Sequence, residues 1–244
     1  MPSAAELAME RIVSFARAGA TIIDLGAVST RPGAADVSTE EEWSRLAPVL
    51  EALSVMPDLI GHRDGFKISI DTTRSEIVRR AYEVIGPFIV NDISAGEDDP
   101  EMLPTVAELD LPYIAMHKRG NPQTMNGLCD YPEGVVEELI RYFSDFSERA
   151  SKLGIHDWIL DPGLGFAKTN EQNWEILERL EELRVFGRPI LIGAADKRFT
   201  KEVPQRILDS SLPKSCQSGT DIAHAVALSH GADILRVHTI PGLL

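Results

Sequence analysis

The stretch Trp158-Ile-Leu-Asp-Pro-Gly-Leu-Gly-Phe-Ala-Lys168 holds a short apolar run that ends abruptly at Pro162-Gly163. Because proline followed by glycine ends regular structure, Asp161 should be the last residue of a buried strand. The glycines permit tight backbone bends, and Phe166 supplies a flat apolar surface. A carboxylate, an open backbone and an aromatic ring together suit a flat heterocycle with polar edges. An ordinary turn between strand and loop explains the same pattern equally well.

Similar short apolar runs recur along the chain and alternate with helical patterns. We predict seven strands, at 21–26, 67–71, 87–91, 112–116, 158–160, 189–193 and 234–238. Strands alternating with helices indicate an α/β fold with a buried parallel sheet. A doubly wound sheet or a closed barrel could hold these units. The barrel is favoured because no glycine-rich dinucleotide fingerprint follows an early strand and because closure removes exposed sheet edges.

Length and charge narrow the classes of function. The 244 residues fit a single domain over 1–244, and the net charge of −14 argues against nucleic acid or an anionic membrane as a partner. Cys129 and Cys216 lie far apart in the sequence, which favours a reducing cytoplasm over a disulfide framework. We expect neither a signal peptide nor a transmembrane segment, since no basic-then-apolar start and no long apolar run occurs.

Several predicted strands end in a side chain that can do chemistry. These residues are Asp71, Asn91, Met116-His117, Asp161, Lys197-Arg198, Arg236 and His238. The carboxyl ends of the strands in a parallel barrel lie on one face, where active sites are built. Each residue alone could be a helix cap, a core histidine or a surface charge, but recurrence at the ends of several strands favours a site.

The residue types indicate what the site would bind. Asp71, Asn91 and Asp161 offer acceptors and one amide donor, which match a heterocycle edge bearing several N–H groups. Arg236 and His238 are two residues apart on one predicted strand, so their side chains should share a side. Together with the Ser29-Thr30-Arg31 loop they suit phosphate oxygens. The sequence therefore predicts a heterocyclic substrate carrying phosphate or diphosphate.

A family resemblance enters at these same residues. The matching segments, in order, are Ile23–Ala34, Ile68–Asp71, Val90–Ser94, Met116-His117 with Arg119-Gly120, Ile159–Phe166, Lys197–Phe199, Gly219-Thr220 and Gly231–His238. In these segments the chain resembles the pterin-binding enzyme family and, within it, the dihydropteroate synthases. The resemblance implies a TIM-type (β/α)8 barrel and a transferase of folate biosynthesis. That reaction condenses 4-aminobenzoate with a dihydropterin diphosphate and releases pyrophosphate.

The resemblance also implies roles for individual residues. The residues expected to bind the pterin are Asp71, Asn91, Ile93, Met116, Asp161, Phe166, Gly193 and Lys197. Those expected to bind the diphosphate are Thr30, Arg31, Arg236 and His238, and those expected to border the aminobenzoate are Pro32, Phe166 and Lys197. The residues expected to act in catalysis, by stabilising charge, are Asp71, Lys197 and Arg236.

The sequence departs from the family pattern at both ends. The usual opening strand and loop, Asn-x-Thr-x-Asp-Ser-Phe, has no counterpart before Pro2, and the usual closing helix has none after Leu244. We therefore expect a barrel without its first strand and loop and without its last helix, because the chain is trimmed or because a partner element fills the gap. The expected Mg²⁺ would lack its usual asparagine ligand, so no protein metal ligand is predicted.

Two internal departures keep other functions open. Ala195-Asp196 stands where the family commonly has Ser-Arg, and Ala27-Val28 stands where a glutamate is usual. One alternative is a corrinoid-linked methyltetrahydrofolate methyltransferase, which would need no phosphate ligands. Another is a pterin-binding remnant without activity. The resemblance further implies a cytoplasmic homodimer that is a sulfonamide target.

Overall fold

The computed structural model describes residues 3–28, 37–56, 65–121, 123–210, 216 and 218–240. The chain divides into two compact units. Described residues of the first unit fall within Met1–Ile114, Leu153–Asp157 and Thr239–Leu244, and those of the second within Ala115–Lys152 and Trp158–His238. The single domain expected over residues 1–244 stays a prediction. None of the described helices is both long and apolar enough to cross a membrane.

Helices and strands alternate in both units. Those of the first unit are α1 (Ala4–Arg17), β1 (Ile22–Gly26), α2 (Thr39–Ser54), β2 (Lys67–Asp71), α3 (Ser75–Ile85), β3 (Ile89–Asp92) and α4 (Met102–Glu108). Strand β4 (Tyr113–Met116) begins in the first unit and ends in the second. The second unit continues with α5 (Val135–Lys152), β5 (Trp158–Asp161), α6 (Asn170–Glu178), β6 (Leu191–Ile192), α7 (Gln205–Leu208), α8 (Gly219–Ser229) and β7 (Ile234–Leu235). Its 3-10 helices are Met125–Gly127, Leu180–Phe186 and Arg198–Lys201.

The described residues form seven strands, as the sequence predicts, but the last two are shorter than expected. Only Leu191 and Ile192 pair with β7, so the predicted strands 189–193 and 234–238 are wrong at their ends. The chain turns after Gly193, where Lys197 N–H donates to Ala194 O and Asp196 adopts a left-handed φ of 56°. Arg236 and His238 therefore lie beyond the end of β7, and strand alternation does not set their directions.

The sheet of the first unit consists of parallel strands in a fixed register. Asp24 of β1 pairs with Ser69 of β2, and Asp71 of β2 pairs with Asn91 of β3. Ile70 and Val90 are fully buried, as is typical of parallel strands covered on both faces. This register brings the polar residues of three neighbouring strands together.

The core of the second unit is aromatic. Trp158 at the start of β5 lies 5.0 Å from Phe146 and 6.3 Å from Phe143, measured between ring centroids. Both phenylalanines project from α5, and all three side chains are almost completely buried. Large aromatic side chains contribute much of the burial free energy of a core. This packing fixes β5, which carries Asp161 at its end.

A buried carboxylate joins α2 to the turn after β2. Glu42 is 2% exposed, and it accepts hydrogen bonds from Thr72 Oγ1 at 2.6 Å and from Arg74 Nη1. Arg74 Nη2 also donates to Val37 O at 2.5 Å. Because a buried charge must be paired, this cluster fixes α2 relative to the turn that leads into α3.

We expect Glu42→Ala to destabilise the protein by roughly 2–4 kcal/mol, since Arg74 and Thr72 both lose a charged partner. Urea unfolding measures this change. The matched control is Glu51→Ala, which removes an exposed carboxylate from the same helix and should change stability by less than about 0.5 kcal/mol. Equal changes for the two variants would contradict the structural role of Glu42.

Candidate functional site

In the first unit, polar residues meet on three neighbouring strands. Gly26 pairs with Asp71, and a Cβ added at Gly26 would lie 3.3 Å from the Asp71 Cβ. The missing side chain at Gly26 therefore leaves room for the Asp71 side chain. Asp71 is half-buried and pairs in turn with Asn91, so the structure brings these two predicted residues together.

Asp24 is at the centre of this group, although the sequence analysis did not select it as a site residue. Its carboxylate accepts a hydrogen bond from Ser69 Oγ at 2.5 Å and from Asn91 Nδ2 at 3.2 Å to each oxygen. Asn91 is 6% exposed and Ser69 1%. A signal for Asp24 was present, because it is the one charged residue within the apolar run Thr21–Gly26.

Ile93 is held by a turn built around the buried Asp92. The Asp92 carboxylate accepts hydrogen bonds from Tyr113 Oη at 2.6 Å, from Ser94 N at 2.7 Å and from Gly96 N at 2.8 Å. Burial raises the pKa of Asp92, while these hydrogen bonds act in the opposite direction. The turn fixes the backbone on either side of Ile93, which is half-buried.

In the second unit, the end of β5 has the geometry that the sequence predicts. Asp161 is the last residue of the strand, and its Oδ1 accepts a hydrogen bond from Gly163 N at 2.8 Å. Gly163 has a φ of +68°, and a Cβ there would lie 2.0 Å from His117 O. Only glycine fits this position. The Met116 side chain packs against the same glycine, 3.2 Å from where that Cβ would lie.

Lys197 lies beside Phe166, and its charge and that of Asp161 influence each other. Burial raises the pKa of Asp161 while the positive charges of Lys197 and Arg236 oppose the rise. Burial lowers the pKa of Lys197 to about 8, opposed by Asp161. Lys197 Nζ donates to Leu164 O and lies 5.1 Å from the centroid of the Phe166 ring. A carboxylate, an ammonium and an aromatic face can together hold a flat polar ring.

Lys168 holds the loop that follows β5. Its Nζ donates to Gly163 O and Phe166 O, both at 3.0 Å, and lies 2.9 Å from His117 Nδ1. Lys168 is 4% exposed, and burial lowers its pKa to about 7. Burial also lowers the pKa of His117 well below its usual value, helped by the charge of Lys168. Lys168 was quoted in the sequence stretch above but was not predicted as a site residue.

Two of the predicted anion-binding residues, Arg236 and His238, occupy exposed positions in the second unit. A Cβ at Gly193 would lie 3.9 Å from the Arg236 Cβ, so these two predicted residues are neighbours. His238 Nδ1 lies 3.0 Å from Asp196 Oδ2, with both side chains exposed. His238 thus has a carboxylate partner that the sequence analysis did not foresee. Thr30, Arg31 and Pro32 lie outside the described residues.

The described residues do not fit a metal ion held by the protein alone. Within the part of the chain that the structure describes, no three histidine, cysteine, aspartate or glutamate side chains converge as metal ligands. The expected Mg²⁺ stays a prediction.

Comparison with known proteins identifies relatives of the whole chain. The profile of a family described as "Pterin binding enzyme" matches residues 3–238. The chain is 42% identical to a dihydropteroate synthase of Synechocystis sp. over 238 residues, covering 97% of this chain and 78% of that protein. It is 32% identical to the solved structure of Xanthomonas albilineans dihydropteroate synthase with 4-aminobenzoic acid, with a TM-score of 0.79 over 97% of this chain and 80% of that chain.

A second solved structure gives the same result. Yersinia pestis dihydropteroate synthase in a sulfonamide drug complex is 30% identical, with a TM-score of 0.79 over 97% of this chain and 81% of that chain. These likenesses confirm the predicted fold class, an α/β chain of the (β/α)8-barrel type.

The lowered pKa of Lys168 predicts a pH dependence of stability. The folded chain releases this proton near pH 7, whereas the unfolded chain holds it up to the ordinary value of 10.5. Unfolding therefore takes up a proton between these values, and the contribution of Lys168 to stability rises with pH across that window, by roughly 1.4 kcal/mol per pH unit. Below about pH 7 the penalty for burying the charge is fully present.

Urea unfolding between pH 7 and pH 9 checks this prediction. The stability of the wild type relative to Lys168→Met should rise steadily with pH, since methionine carries no proton to release. For the control Lys201→Met, which alters an exposed side chain, the difference should stay constant. Parallel curves for wild type and Lys168→Met would show that Lys168 keeps its ordinary pKa.

Proposed function

Because the chain belongs to the pterin binding enzyme family, we propose that it is a dihydropteroate synthase. Its substrates are a dihydropterin diphosphate and 4-aminobenzoate, and its products are dihydropteroate and pyrophosphate. The observation that carries the proposal is the loop after β5, where Gly163 N–H holds the half-buried Asp161 carboxylate and Lys197 Nζ lies 5.1 Å from the Phe166 ring centroid. The names of the relatives favour this reaction over the methyltransferase alternative.

The reaction is a substitution at carbon. The amine nitrogen of 4-aminobenzoate forms a bond to the methylene carbon of the pterin, and the bond from that carbon to the diphosphate oxygen breaks. Pyrophosphate leaves with the electron pair, and the new secondary amine loses a proton. No side chain needs to be a nucleophile. The protein contributes by orienting the two substrates and by stabilising charge that develops as the bond breaks.

The residues of the second unit have distinct proposed roles. Asp161 accepts hydrogen bonds from N–H groups of the pterin, and its raised pKa favours sharing a proton with the ring. Lys197 keeps most of its charge at neutral pH with a pKa of about 8, so it can donate to a ring acceptor. Phe166 and Met116 pack against flat substrate faces, and Gly193 leaves space beside Arg236.

The remaining roles concern charge and loop residues. Arg236 and His238 bind the leaving diphosphate, and Arg236 stabilises its negative charge. In the first unit, Asp71 stabilises positive charge on the pterin, while Asn91 and Ile93 bind its ring. Thr30 and Arg31 contact the diphosphate, and Pro32 borders the aminobenzoate, as the family resemblance implies.

Assembly, location and inhibition complete the proposal. We propose a homodimer, as the family resemblance implies, and a cytoplasmic location, which the two free cysteines support. Sulfonamides should compete with 4-aminobenzoate, and the Yersinia pestis relative with a bound sulfonamide drug supports this.

Pyrophosphate release tests the function. The protein is mixed with dihydropterin diphosphate, 4-aminobenzoate and magnesium, and pyrophosphate is followed over time. Release that depends on 4-aminobenzoate is expected. Pterin binding without release would instead identify an inactive pterin-binding protein, and no binding of either substrate would refute the family role of this chain.

Asp161→Asn tests the pterin site. The variant keeps the oxygen that bonds to Gly163 N–H but loses the charge, so the KM for the pterin substrate should rise roughly 10- to 100-fold. Steady-state kinetics measure the change. Asp157→Asn, an exposed carboxylate just before the same strand, is the control and should behave like the wild type. An unchanged KM for Asp161→Asn would remove Asp161 from the site.

A further inference from the structure

The side-chain amide of Asn91 is held from one side only. Its nitrogen lies 3.2 Å from both oxygens of the Asp24 carboxylate. The carboxylate is itself held by Ser69 Oγ, which donates to Oδ1 at 2.5 Å. Asn91 and Ser69 are both buried, at 6% and 1% exposure, and Asp24 between them is half-buried.

The chemistry of the pair allows a single orientation of the amide. An ionised carboxylate accepts hydrogen bonds and donates none, whereas an asparagine amide has one end of each kind. Turning the amide over would place its oxygen against the Asp24 oxygens and leave buried acceptors without donors, at a cost of about 1–3 kcal/mol. Asn91 Nδ2 must therefore face Asp24, and Asn91 Oδ1 must point away from it.

The amide oxygen is open to a ligand. It receives no hydrogen bond from any residue that the structure describes. Asn91 Oδ1 is therefore an acceptor for which the described residues supply no donor.

We propose that Asp24 is a positioning residue, which fixes the Asn91 amide so that an incoming ligand meets its oxygen and never its nitrogen. It follows that the ligand edge facing Asn91 carries an N–H donor, either a ring N–H or an amino group. A ligand with an acceptor at that edge is rejected, because a site built for one kind of hydrogen bond leaves the other unpaired. This inference rests on the proposed role of Asn91 in binding the pterin.

Three variants and one control separate orientation from a purely structural role. Asp24→Asn no longer fixes the orientation of the Asn91 amide, because an asparagine at position 24 can present either its oxygen or its NH₂ group to Asn91. Asn91→Asp places two carboxylates against each other. The double exchange Asp24→Asn with Asn91→Asp restores one amide donor and one carboxylate, and it keeps an acceptor oxygen at position 91. Asp110→Asn changes an exposed aspartate and is the control.

The measured quantities are the KM for dihydropterin diphosphate, kcat and the thermal midpoint of each variant. We expect the KM of Asp24→Asn to rise roughly tenfold with kcat within about twofold of wild type. The KM of Asn91→Asp should be higher still, and the KM of the double exchange should return to within about threefold of the wild-type value. An unchanged KM for Asp24→Asn, or a folded double exchange no better than the single variants, overturns the proposal.

A second readout does not depend on catalysis. The side-chain NH₂ signals of Asn91 in ¹⁵N-labelled protein should exchange slowly with solvent in the wild type and quickly in Asp24→Asn. Fast solvent exchange of the Asn91 NH₂ group in the wild type overturns the proposed orientation of the amide, whatever the enzyme kinetics show. If the wild type turns over no substrate, the proposed function fails, and the exchange measurement still decides how Asn91 is held.

Discussion

The end of β5 depends on a backbone contact that only glycine permits. At Gly163 a side chain would overlap His117 O, 2.0 Å from the position of the missing Cβ. This contact sets the path of the chain after Asp161, and the Gly163 N–H then bonds to the Asp161 carboxylate. Lys168 closes the loop by donating to the carbonyls of Gly163 and Phe166. The direction of Asp161 thus follows from close packing of backbone against backbone.

Three charged side chains of the described residues are held by different kinds of partner. Asp24, which is half-buried, accepts hydrogen bonds from Ser69 and Asn91, Lys168 donates to backbone carbonyls, and Glu42 pairs with the cation Arg74. The ion pair with Arg74 offsets the negative charge of Glu42, so the role of Glu42 is to link two structural elements. Beside Lys168, burial lowers the pKa of His117, and the charge of Lys168 adds to this shift. Shifted pKa values of this kind are common at functional sites.

The sequence predicted the alternating strands, the last residue of β5 and most of the polar strand ends, because apolar runs and Pro-Gly breaks are local signals. It did not predict the partners of these residues. Asp24 was passed over because a lone carboxylate inside an apolar run has no visible partner until β1, β2 and β3 pair in register. Lys168 was passed over for a similar reason. Its acceptors are backbone carbonyls, and the residue types in a sequence do not show which carbonyls will be close to it. The predicted ends of β6 and β7 were wrong because strand pairing stops at a turn, and no change of hydrophobicity in the sequence marks that point.

Asp196 shows how one departure from the family pattern alters the electrostatics of a site. The family commonly has an arginine where this chain has Asp196, and here that carboxylate lies 3.0 Å from His238 Nδ1. A negative charge beside the imidazole offsets the attraction that a protonated His238 has for a diphosphate. Arg236 then becomes the principal cation of the pair, since its guanidinium stays charged at any working pH. Because both Asp196 and His238 are exposed, salt and water weaken this effect, so we expect it to adjust the affinity of the proposed diphosphate site without abolishing it.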